Sequence, residues 1–118
     1  MTTIVHDGNL TQDEALKALR LAAQTATEAL PAAFAQCKTD KESQKVMGDR
    51  DTIVLAYLTC LQKSLVNTGA LFEKMASDLE EAANDVSNKA QNLKNTTEAI
   101  NLFADVLKLA ASLALAFA

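Results

Sequence analysis

From Val54 onward the chain repeats an apolar side chain at alternating intervals of four and three residues. The series Val54, Leu58, Leu61, Leu65, Thr68, Phe72, Met75, Leu79, Ala82, Val86, Lys89, Leu93, Thr96, Ile100, Phe103, Leu107, Ala110, Ala114, Phe117 is apolar except at Thr68, Lys89 and Thr96. Such spacing keeps one stripe on one side of a helix, whereas a half-buried strand alternates every second residue. The class is therefore all-α, and the pattern predicts a seam of the coiled-coil kind. The candidate interaction residues on it are Leu58, Leu61, Leu65, Phe72, Met75, Leu79, Val86, Leu93, Ile100, Phe103 and Leu107. Beside it, Gly69, Ala76, Ala83 and Ala90 form a row of small residues that would let a neighbouring helix approach closely.

Upstream of the seam, Thr11-Gln12-Asp13-Glu14 has the form of a capping box, with Leu10 placed to staple onto Ala15. The helix it opens is expected to bury Leu16, Leu19, Ala23, Ala26 and Leu30, with Lys17, Arg20, Gln24 and Glu28 outward. Pro31 predicts a kink or a short break, because its ring removes a backbone donor and disfavours helical geometry at Leu30. Ala33, Phe34 and Cys37 continue the stripe, so the helix is expected to resume to about residues 44–46. Gly48-Asp49 is the reversal signal, and Asp49 or Asp51 the expected cap of the next helix.

That second helix is predicted to run from Asp51 to about Asn92. Asn67-Thr68-Gly69 is a weak point in it, retained inside the helix because the seam keeps its phase there. Asn95-Thr96-Thr97-Glu98 resembles an N-cap with a Glu three residues on, which predicts a break near 92–96 and a last helix over 97–117. An unbroken helix through this stretch is the alternative. The architecture expected is an antiparallel bundle of three to four helices: a long hairpin, 12–46 against 51–92, plus a C-terminal apolar helix. Residues 1–10 read as an extended or disordered lead-in, and 11–118 as a single helical-bundle domain.

Composition narrows the function. One Pro and three Gly in 118 residues mean few turns and long helices. Aromatics are 4%, which suits close helix packing better than a deep ligand pocket. A net charge of −4 without any Lys/Arg run argues against nucleic-acid binding, whose affinity comes mainly from phosphate neutralisation. The first residues have neither a basic n-region nor an apolar h-region. The expected location is the cytoplasm, or outside the cell after export without a cleaved signal peptide.

Chemistry-bearing residues are sparse. His6 is the only histidine and has no Cys or carboxylate at ligand spacing, so no metal site is expected. Gly8, Gly48 and Gly69 form no phosphate-cradling loop, and Asp78, Glu80, Glu81 and Asp85 read as a solvated face. No catalytic residue and no cofactor is expected, and the chain is read as non-enzymatic. Cys37 and Cys60 lie at nearly equal distances from Gly48, so a hairpin turning there would bring them level. They would be either a disulfide or two buried reduced thiols.

The segment Leu109–Ala118 is apolar on every face but for Ser112. A helix apolar all round belongs in a protein core or in lipid. Ten residues are too few to cross a bilayer, and Asp105 and Lys108 interrupt anything longer. The expectation is an interaction or assembly protein, self-associating or bound to another helical protein through its seam. The alternative is a membrane-active or leaderless-exported helical protein that inserts residues 100–118 into lipid.

Overall fold

Three of the four helices begin where the sequence supplies a side-chain acceptor for the unpaired amides of a first turn. In the structure, a computed structural model that describes residues 4–118, α1 spans Gln12–Gln36, α2 Asp40–Cys60, α3 Ala70–Lys89 and α4 Thr96–Ala114. Thr11 caps α1 by accepting from Glu14 N–H (3.1 Å), while Glu14 accepts from Thr11 N–H (3.0 Å). Thr39 and Glu42 repeat this reciprocal box at α2, with distances of 3.2 and 3.1 Å. Asn95 Oδ1 accepts from Glu98 N–H (2.9 Å) at α4. Among the described residues, α3 is the α-helix that starts without a side-chain cap, at Gly69. It ends in a 3-10 turn, Ala90–Asn92.

The chain runs up, down, up and down. Leu10 N–H donates to Thr68 O (2.8 Å), placing the starts of α1 and α3 at one end. Thr96 Oγ1 donates to Gln36 O, placing the start of α4 beside the end of α1 at the other. α1 packs on α2 and α3, and α4 also packs on α2 and α3, with α1 and α4 touching across a diagonal. The sequential pairs α1/α2 and α3/α4 are therefore antiparallel hairpins, docked so that α1 lies parallel to α3 and α2 parallel to α4. At the lower end Leu65 pairs with Phe117, and Ser64 and Ala118 exchange backbone hydrogen bonds of 3.0 and 2.9 Å.

The core is built largely of alanine along α1, where Ala15, Ala18, Ala22, Ala26, Ala29 and Ala33 are buried beside Leu19 and Leu30. Larger side chains fill it from opposite, chiefly Ile53, Leu79, Phe103, Val106 and Leu113. Ala76, Ala83 and Ala90 of the small-residue row are buried as well. Small side chains on facing helices permit short interaxial distances, which explains a core with few aromatics.

Four boundaries differ from the sequence reading. α1 passes through Pro31 without a break and stops at Gln36, not near 44–46. The ring faces outward, so the helix loses one hydrogen bond at an exposed position. The first reversal falls at residues 37–39, where the Thr39/Glu42 capping box outweighs the Gly48-Asp49 signal. Gly48 is inside α2, and Asp49 is no cap but a buried carboxylate paired with Lys45 Nζ at 2.8 Å one turn away. The long second helix is two helices, interrupted by 61–69 with Gly69 as the boundary. The break at 92–96 and the last helix stand close to expectation, with Leu115–Phe117 leaving the helix to meet Leu65.

Residues 4–10 contain no helix, and they are packed down: Ile4 and Leu10 are buried. Residues 1–3 lie outside the described residues.

Candidate interaction surface

The predicted seam does not act as one stripe. Leu79, Val86 and Phe103 are buried in the core of this single chain; Leu65, Phe72, Met75, Leu93, Ile100 and Leu107 are half-buried against it. Only the α2 portion turns to solvent: Leu58 is 48% exposed, and Leu61, just past the helix, also 48%. The buried side of α2 is a neighbouring stripe, Val46, Asp49, Ile53 and Cys60. α2 is therefore apolar on two faces, one facing the core and one outward.

The outward face continues beyond the predicted residues. Leu55 is 62% exposed, Met47 is exposed, and Val54 and Tyr57 are half-buried. Between this face and α1 runs a shallow groove of about 330 Å³ lined by Arg20, Ala23, Gln24, Thr27, Glu28, Val54, Tyr57 and Leu58. A second depression, about 340 Å³, lies among Leu55, Leu58, Thr59, Gln62 and Lys63. Leu58 borders both. Leu55 lies off the four-three seam; its sequence signal is its position three residues before Leu58, on the same helical side. Charge brackets the strip, with the Arg50–Asp51 pair (2.7 Å) at one end and Lys63 at the other.

Charged side chains gather at another groove. Asp78, Glu81, Asp85 and Asp105 line a cleft between α3 and α4 together with Lys108. Lys74 on the same flank is pushed up in pKa by its hydrogen bond to Asp78 (2.8 Å). Among the described residues, no group of His, Cys, Asp and Glu is arranged to hold a metal ion.

Cys37 and Cys60 are free thiols, and the disulfide alternative is not adopted. With the reversal at 37–39 instead of Gly48, one cysteine sits at the turn and the other at the far end of α2. Burial pushes the Cys60 thiol up in pKa, with the Lys63 ammonium opposing. Cys37 is half-buried and donates to Ala33 O (3.4 Å).

His6 is exposed, as expected of a tail residue, yet its Nδ1 lies 3.6 Å from a carboxylate oxygen of buried Glu73. Spacing along the sequence does not reveal this pairing, which spans all of α1 and α2 and ends in the first turn of α3. The C-terminal apolar helix is a core element: Phe103, Val106, Ala110 and Leu113 are buried, followed by Ala116 and Phe117. No helix among the described residues is long and apolar enough to cross a membrane.

Compared with protein-family models, curated proteins and solved structures, the chain matches none of them.

Proposed function

We propose that this protein is a non-enzymatic assembly module that self-associates through the outward face of α2. The observation that carries the reading is the second apolar face of that helix, with Leu55, Leu58 and Leu61 standing about half exposed or more after the core is complete. A helix with one buried stripe and a solvated opposite face needs no partner; a helix apolar on both sides has surface left to cover. Covering a leucine fully is worth about 1.5–3 kcal/mol, so three together supply a useful share of a dimer's affinity.

A second copy suits the charges of this face. When two α2 strips pair antiparallel about a two-fold axis near Tyr57, Asp51 of each copy comes opposite Lys63 of the other. The same patch then serves both subunits, as an isologous dimer requires. The half-buried remainder of the seam supports the core of one chain and is not part of this contact.

Light scattering across a concentration series tests the reading. The wild-type chain is expected to form a dimer that Leu58→Asp returns to monomer without loss of helicity. A wild-type chain that stays monomeric at all concentrations would overturn it. Flotation with anionic liposomes addresses the membrane alternative: binding that survives Leu58→Asp and disappears on truncation after Ala99 would favour lipid over self-association.

A further inference from the structure

Residues 4–10 are fastened to the bundle by two carboxylates from different helices. Glu14 of α1 accepts from Val5 N–H through Oε2 (2.9 Å) and from Thr11 N–H through Oε1 (3.0 Å). Glu73 of α3, with a side chain only 5% exposed, accepts from both Asp7 N–H (3.1 Å) and Gly8 N–H (3.0 Å) through Oε2. Gly8 has φ +79, a conformation that residues with a Cβ rarely adopt, and it turns two successive amides onto one oxygen. Ile4 and Leu10 are buried at the two ends of the segment.

We propose that residues 4–10 form an acid-released strap, held by ionised Glu14 and Glu73 through main-chain amides and let go when these carboxylates are protonated. An ionised carboxylate only accepts, and its charge-assisted bonds are roughly twice as strong as neutral ones. Protonation weakens those acceptors and adds an O–H donor where amide donors already point. Among the described residues, the titratable group facing both glutamates is His6, from the strap itself. The cations nearest in sequence are turned elsewhere, Lys17 to Asp13 and Lys74 to Asp78. The Asp7 carboxylate accepts from Asn9 N–H (3.0 Å). A charged His6 draws the strap tighter, so release belongs to the glutamates. Release also frees Ile4, while Leu10 stays tied to Thr68 O, and so enlarges the apolar end where Val66, Leu71 and Leu115 are already exposed.

Amide hydrogen exchange on the whole chain, corrected for the intrinsic effect of pH, tests this. Between about pH 6 and pH 3.5, protection at Val5, Asp7 and Gly8 should fall by about tenfold or more while α2 and α4 stay protected. Glu73→Gln should lose protection at Asp7 and Gly8 already at neutral pH. Should that variant fail to fold, the wild-type NMR titration decides: the Asp7 and Gly8 amide protons should move with the midpoint of the Glu73 carboxyl. Protection lost only together with the helices, or amide resonances that ignore that midpoint, would overturn the proposal.

Discussion

Cys37 and Cys60 stand at opposite ends of α2, one capping the end of α1 and the other closing a 21-residue helix. That helix rises roughly 30 Å at 1.5 Å per residue, far beyond the ~7 Å between Cα atoms that a disulfide tolerates. Under non-reducing conditions the purified chain should retain two free thiols. Alkylation at mildly alkaline pH should modify Cys37 at least about tenfold faster than Cys60, whose burial disfavours the reactive thiolate. A linked peptide in a non-reducing digest, or faster labelling at Cys60, would contradict this placement.

Gly48→Ala should stabilise the protein. Gly48 lies inside α2 with ordinary φ, and an added Cβ there would meet nothing within 4 Å. Alanine in a helix interior is favoured over glycine by about 0.5–1 kcal/mol. A higher urea midpoint with an unchanged slope is the expected result; a lower midpoint would place a turn at this residue.

The fold class was legible because the four-three spacing of apolar residues is a helical signal wherever it occurs. Boundaries were less so. The reading at Thr11/Glu14 and at Asn95/Glu98 succeeded because a cap is a local event, written in four consecutive residues. Thr39/Glu42 has the same form and outweighs Gly48, which the packing of Val46 and Ile53 on either side keeps in a helix despite its flexible backbone. At 61–69 the seam kept its phase for a different reason: Leu65 leaves the helix to pair with Phe117, and so stays apolar without being helical. The outward face of α2 and the Glu73 contacts depend on which helices become neighbours. Spacing along one segment does not encode that.

Phe103 and Leu58 occupy the same sequence stripe but opposite environments, so their substitutions should separate cleanly. Phe103→Ala should cost about 3–5 kcal/mol, the usual range for emptying a buried aromatic site. Leu58→Asp should change monomer stability by no more than about 0.5 kcal/mol, as surface substitutions generally do. Urea unfolding at low protein concentration keeps any association out of the comparison. Equal losses at both sites would mean that Leu58 belongs to the core.

Stability should decline in acid through Glu14. Its carboxyl is held below the ordinary value of 4.5, first by the Val5 amide and then by that of Thr11, with burial opposing. A folded pKa below the unfolded one contributes stability above about pH 4.5, lost as pH falls through the folded value. Glu14→Gln should therefore unfold more easily than wild type near neutrality and show a shallower loss of stability below pH 4.5. Parallel pH profiles for the two proteins would rule out this linkage.

The ties that complete the bundle join distant parts of the chain: Leu65 to Phe117, Leu10 to Thr68, and Thr96 to Gln36, the last across 60 residues. Each hairpin, by contrast, is closed by a short connection, 37–39 or 90–95. Nearby partners find one another sooner than remote ones, and non-local pairing slows folding more than it weakens the folded state. The expected order is two hairpins formed independently, then a slower docking that joins them. Loosening a hairpin with Thr39→Ala should then slow refolding, whereas Thr96→Val should chiefly speed unfolding. Stopped-flow kinetics in which Thr96→Val instead slowed refolding as much as Thr39→Ala would place the long-range ties in the folding nucleus.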